Sequence, residues 1–306
     1  MRIVFFGTPD FAVASLRALI SSRHEVVAVV TAPDKPAGRG QQLAQSAVKA
    51  FALEHRLPVL QPEKLKAPEF LEALRALGAD LHIVVAFRML PELVWAMPPM
   101  GTVNVHGSLL PNYRGAAPIN WAIINGEAFT GVTTFQLQQE IDTGGILLQK
   151  EIAILPEDDF GSLYQKLMEL GAALLVETVD ELASGTLKAH PQPQQTDDLK
   201  HAPKIFKADG ELNFSLGAEA VHNRVRGVSP FPTAYTSLSG KTLRIFKSRF
   251  ELVDEGQPLP AAGTYETDGK SYLRFAATDG WLYATDVQLD GKKRMAIADF
   301  LRGYRF

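Results

Sequence analysis

Short runs of mostly apolar residues, rich in β-branched and aromatic side chains, recur through the first half of the chain: Ile3–Phe6, Glu25–Val30 and Leu81–Phe87. Runs without polar alternation suit strands covered on both faces, which is the pattern of a parallel sheet. Between them lie stretches with helical spacing, Ala44–His55 and Pro68–Leu77, the second presenting Phe70, Leu71, Leu74 and Leu77 on one side. Gly7-Thr8-Pro9-Asp10 reads as a tight turn into a helix, with Thr8 as N-cap and Pro9 at the first helical position. Strands alternating with helices imply an α/β domain with a Rossmann-like, mainly parallel sheet. The dinucleotide fingerprint GxGxxG is absent after the first strand, where only Gly7 is found, so NAD-type binding gains little support.

Further along, Val132–Leu137 and Ile146–Ile154 read as strands. Phe160–Ser184 reads as a long helix with Leu163, Leu167, Leu170, Leu174 and Leu175 on its apolar face and Gly185 as its C-terminal cap. Residues 188–203 hold three prolines and no apolar period, the composition of a linker. Beyond it, strand-like runs at Leu243–Phe246, Gly263–Glu266, Tyr272–Ala276 and Leu282–Val287 suit a small β-barrel. The expected organisation is a domain over 1–187, a linker over 188–203 and a second domain over 204–306.

The chain has no cysteine, which removes disulfides, thiolate metal sites and cysteine nucleophiles together. Its seven histidines make no HExxH or similar spacing, so no metal site is expected. No apolar run approaches the ~20 residues of a membrane span, and the expected setting is cytoplasmic and soluble, with no membrane partner. The net charge of −3 divides into −5 over residues 1–190 and +2 over 191–306. Binding to a nucleic acid would therefore depend on local basic residues and not on a global field.

Residues 103–146 hold the chemistry. Asn104 and His106 are two apart on one strand and so share a face. A loop containing Pro111, Arg114 and Gly115 follows at Ser108–Ala117, and Asp142 lies before the pair Gly144-Gly145. An amide donor, a side chain that titrates near neutrality and a fixed carboxylate meet the needs of acyl transfer to an amine: they can stabilise an oxyanion and move a proton, with no nucleophile required. Alone, each has an ordinary structural reading, and Asp before Gly is a common turn former.

Asn104-x-His106, Ser108–Ile119 (SLLPNYRGAAPI) and Asp142-Thr143-Gly144 together resemble the signature of the folate-dependent formyltransferases. Pro36–Gly40 (PAGRG) is similar to a loop that the tRNA-formylating members insert into the acceptor-stem groove, which makes Arg39 a candidate tRNA contact. Lys204 and Lys207 match basic positions of those members along the tRNA path. Asn223–Gly227 and Pro230–Ala234 resemble the same C-terminal domain, which implies an OB-like barrel. The resemblance further implies catalytic roles for Asn104, His106 and Asp142. It implies folate-binding roles for Phe87, Arg88, Met89 and Leu90, where the family usually has Gly in place of Arg88, and for Ser108, Leu109, Leu110 and Pro111.

The implied co-substrate is 10-formyltetrahydrofolate, with no tightly bound cofactor, and the implied acceptor is initiator methionyl-tRNA, met by a monomer. A sugar-nucleotide N-formyltransferase would share Asn104, His106 and Asp142 and is the nearest alternative. A formyltetrahydrofolate hydrolase-like domain and a dinucleotide-binding module are further ones.

Overall fold

The computed structural model describes residues 1–37, 42–193 and 199–304. In chain order the first elements are β1 (Arg2–Gly7), α1 (Asp10–Ile20), β2 (Glu25–Val30), β3 (Lys35–Ala37), β4 (Gln42–Ala44), α2 (Ala47–Glu54) and β5 (Val59–Leu60). Then come α3 (Pro68–Ala76), β6 (Leu81–Val85), α4 (Glu92–Trp95), β7 (Thr102–His106), β8 (Arg114–Gly115), α5 (Pro118–Ile124), β9 (Phe129–Gln136), β10 (Ile146–Ala153) and α6 (Phe160–Ser184). The last are β11 (His201–Ala202), a 3-10 turn at Lys207–Gly210, α7 (Ala218–Gly227), β12 (Ala234–Leu238) and β13 (Lys241–Leu252). They end with β14 (Tyr265–Thr267), β15 (Leu273–Ala276), β16 (Gly280–Leu289), β17 (Met295–Ala296) and α8 (Ile297–Gly303). Two compact units result: Met1–Arg114, Gly131–Ile152 and Tyr164–Lys200 form one, and Gly115–Thr130, Ala153–Leu163 and His201–Phe306 the other.

In the first unit the sheet order is β10-β9-β7-β6-β1-β2-β5. The pairs β1/β2, β1/β6, β6/β7 and β2/β5 are parallel, and β7/β9 is antiparallel. Ile3, Val4, Phe5 and Phe6 are all fully buried, as the unbroken apolar run requires of a strand covered on both faces. Each such side chain contributes about 1.5–3 kcal/mol through burial. Val4, Phe6, Val30 and Val84 pack with Phe70 and Leu74 of α3 and Val94 of α4. Helix α6 meets β7 and β9 at Gly171, where a Cβ would lie 3.1 Å from Val105 Cγ1, so the missing side chain lets helix and sheet approach. Because β6 and β7 run parallel with Val84 opposite Asn104, their carboxyl ends open at the same sheet edge.

The second unit holds an antiparallel half-barrel of order β12-β13-β16-β15-β14, with β17 on β16. Leu243, Ile245, Phe275, Leu282 and Val287 point into a core completed by Val221 and Val225 of α7 and Phe300 of α8. Helix α5 docks on α7, where Asn120 Nδ2 donates to Gly227 O at 2.7 Å.

Several local expectations shift. Pro9 itself is the N-cap of α1 and Asp10 the first helical residue, so Thr8 does not cap. Helix α2 starts at Ala47, because Ser46 Oγ accepts from Lys49 N at 3.0 Å and fixes the start there. The stretch 31–42, which contains the loop-like Pro36–Gly40, contributes β3, which pairs antiparallel with β4. Trp121 is half-buried, its Nε1 donating to Pro203 O at 2.8 Å and the Arg224 guanidinium lying over its ring. Within 188–203, His190 exchanges two backbone hydrogen bonds of 2.8 Å with Ile146, and Gln192 is buried, so this part is built into the first unit.

Candidate active site

Strand β7 ends in Asn104-Val105-His106, and its antiparallel register with β9 sets Asn104 opposite Phe135 and His106 opposite Thr133. Both side chains therefore stand on one face, at the carboxyl end of a strand whose parallel neighbour is β6. The Asn104 side chain is half-buried, and among the described residues its amide has no hydrogen-bond partner. It is a donor left open at the sheet edge.

His106 is buried and held from both ends of its ring. Its Nε2 lies 2.8 Å from Tyr113 O. A carbonyl only accepts, so Nε2 carries a hydrogen and Nδ1 is the nitrogen that gains and loses a proton. Nδ1 faces Asp142 Oδ2 at 3.8 Å, an ion-pair distance and longer than a hydrogen bond. Asp142 is reached because β9 ends at Gln136 and the chain turns back through a residue of positive φ, +55° at Asp142. Gly144 then presses on the strand end so closely that a Cβ there would lie 1.6 Å from Gln136 O.

The loop after His106 is pinned to β9. Thr133 Oγ1 donates to Ser108 O at 2.7 Å and accepts from Leu110 N at 3.1 Å and from Gln149 Nε2 at 2.9 Å. Ser108 and Leu110 are buried, with Ser108 Oγ donating to Asn112 O, while Leu109 and Pro111 are half-buried. At the end of β6, Ala86 turns the chain with φ +47° into Phe87–Leu90. Phe87 meets the Phe6 ring edge-on, Leu90 is buried, and Met89 is 71% exposed. The Arg88 guanidinium lies 5.7 Å from the ring centre of Phe87 and donates to Glu63 O at 2.8 Å and to Pro62 O.

Of the basic residues singled out in the sequence, Arg39 lies outside the described residues. Lys204 and Lys207 are exposed in the second unit, with Lys204 Nζ 5.2 Å from the ring centre of Phe206, itself 59% exposed. The feet of the β3–β4 hairpin are fixed by Asp34, whose carboxyl is held below its ordinary range by hydrogen bonds from Lys49 and then from Gln61. No helix among the described residues is long and apolar enough to cross a membrane.

Residues 1–179 match the family described as formyl transferase, and residues 204–305 match the formyl transferase C-terminal domain. The methionyl-tRNA formyltransferase of Parabacteroides distasonis is 52% identical over 314 residues, covering 100% of this chain and 96% of that protein. The chain belongs to the methionyl-tRNA formyltransferase family. The corresponding protein of Bacteroides fragilis is 49% identical over 311 residues, covering 99% and 95% of the two chains. Among solved structures, WlaRD, a sugar 3N-formyl transferase crystallised with dTDP and 5-N-formyl-THF, shares the fold of the formyltransferase at a TM-score of 0.68 and 19% identity, over 96% of this chain and 99% of that one.

Sequence reasoning passed over two residues of this site. Arg114 lay inside the signature with no role given, and Gln192 lay in the segment read as a linker. The available signal was the triplet Pro191-Gln192-Pro193, since a residue before proline is confined to extended backbone.

Proposed function

We propose that this formyltransferase moves the formyl group of 10-formyltetrahydrofolate to the α-amino group of methionine esterified to initiator tRNA, by direct attack without a covalent enzyme intermediate. Full-length identity of about half to enzymes of that name supports the substrates. The mechanism rests on one observation: His106 is held between the Tyr113 carbonyl and the Asp142 carboxylate, on the same strand face as the Asn104 amide, which has no hydrogen-bond partner among the described residues.

An α-amine beside an ester is less basic than that of a free amino acid, so it attacks without a strong base. The new C–N bond forms as the formyl C=O opens to an oxyanion, which Asn104 stabilises by donating a hydrogen bond. His106 takes the proton lost by the amine at Nδ1 and delivers it to N10 as the C–N10 bond breaks. Asp142 orients the ring and faces the nitrogen that holds the proton. Phe87–Leu90 and Ser108–Pro111 line the folate, with backbone groups serving at Arg88. Residues 1–187 carry the transfer, and residues 204–306 hold tRNA through Lys204 and Lys207, joined by Arg39. The reaction places the protein in the cytoplasm, where initiator tRNA is used.

The test supplies 10-formyltetrahydrofolate with methionyl initiator tRNA, methionyl elongator tRNA or an amino-sugar nucleotide, and follows transfer of labelled formate. Transfer to the initiator alone is expected. Preferred transfer to the amino sugar would overturn the acceptor assignment.

A further inference from the structure

Asp142 has to keep its carboxylate near His106 while its own backbone sits at a positive φ, and the carbonyls of its turn need partners. Gln192 supplies them. Its Nε2 donates to Asp142 O at 2.9 Å and to Gly144 O at 2.8 Å, and its Oε1 accepts from Arg114 Nε at 3.1 Å and Nη2 at 2.6 Å. Both amide hydrogens and two acceptor positions are thus engaged in a side chain that is 7% exposed. The segment carrying it is held as an extra edge by the mutual hydrogen bonds of His190 and Ile146, and Gly145 packs against Ala189.

The contacts close a ring. Tyr113, whose carbonyl takes the His106 Nε2 hydrogen, is the chain neighbour of Arg114. Arg114 grips Gln192, Gln192 grips the Asp142 turn, and Asp142 faces His106 Nδ1. The imidazole and its carboxylate are therefore tied to each other by a second route that does not pass through their own contact. We propose that Gln192 and Arg114 are positioning residues which set the Asp142 carboxylate against His106, so that a segment beyond α6 governs the rate of formyl transfer. This rests on the catalytic reading of Asp142 given above.

The experiment measures single-turnover formylation, KM for both substrates and thermal melting for Gln192→Ala, Gln192→Met, Asp142→Asn and Gln192→Ala/Asp142→Asn. Gln192→Met keeps the side-chain length without its hydrogen bonds and serves if the alanine variant melts early. Loss of positioning of this kind costs about 10- to 100-fold in rate, and KM is expected to stay within about twofold. In the Asp142→Asn background the Gln192 change is expected to cost less than about twofold further, because coupled residues are not additive. Near-native rates for both Gln192 single variants, or an undiminished Gln192 effect in the Asp142→Asn background, would overturn the clamp and leave the catalytic assignment standing if Asp142→Asn itself is slow. A fast Asp142→Asn would overturn both.

Discussion

Two neighbouring parallel strands each carry a buried histidine, and the two sit in opposite surroundings. His82 is the second residue of β6, 1% exposed, stacked obliquely on Phe6, with Nδ1 donating to Val94 O at 3.1 Å. Burial pushes its pKa down to about 4, so it stays neutral and packs. His106 is the last residue of β7 and has a carboxylate opposite one nitrogen and a carbonyl at the other. Same residue type, same sheet, similar burial: the difference is distance along the strand. In a parallel sheet the body of a strand is core and its carboxyl end is where ligands enter, so where the strand stops decides whether a histidine is available for the acid–base role proposed for His106.

The contrast can be broken most directly by removing each ring. His106→Ala is expected to slow single-turnover transfer, compared at equal folded fraction, by about 10²–10⁴-fold, the range for a positioned acid–base group. Asn104→Ala should follow at about 10²–10³-fold, as for loss of one oxyanion donor. A fast enzyme in either case removes His106 or Asn104 from the chemistry. His82→Ala should do the reverse, costing about 2–4 kcal/mol of stability through a cavity and a lost hydrogen bond while the folded fraction turns over normally.

Acid sharpens the same comparison. Between pH 6.5 and about 4 the unfolded chain protonates residue 82 and the folded chain does not. The stability held above pH 6.5 is therefore lost as pH falls, at up to about 1.4 kcal/mol per unit. His222, pushed down to about 4 by burial and by Arg226, acts with the same sign in the second unit. Denaturant titrations at pH 7.5, 6 and 5 should show a shallower loss for His82→Gln, and parallel curves would show that residue 82 is not responsible. The smallest effect expected is that of Arg88→Gly. Its guanidinium is occupied by Pro62 and Glu63, so KM for the formyl donor should move by about twofold at most; a tenfold rise would place that side chain on the folate.

Much of this was legible in the chain. The run Ile3–Phe6 could only be a doubly covered strand, and Phe160–Ser184 was bounded correctly by its apolar period and by Gly185, whose φ is +74°. Asn104 and His106 share a strand face as their spacing of two requires, and Asp142, singled out through the family resemblance, lies 3.8 Å from His106. Structure set by partners far along the chain was not readable. Strands β3 and β4 are three residues each, with Pro36 inside the first, and local propensity gives no sign that they pair. Trp121 on the short helix α5 is held by a carbonyl 82 residues away in sequence. Gln192 bonds to residues 48 and 50 positions earlier, and no composition window spans that distance.

The backbone at residue 142 lies in the left-handed region, which L-residues with a Cβ avoid and which Asp and Asn tolerate best outside glycine. That position must satisfy chirality as well as charge. An alanine there would disturb the curl of the chain together with the carboxylate, and its kinetics would report a mixture of the two. Asparagine keeps the curl and removes only the charge, so it is the substitution from which the electrostatic share of the reaction can be read.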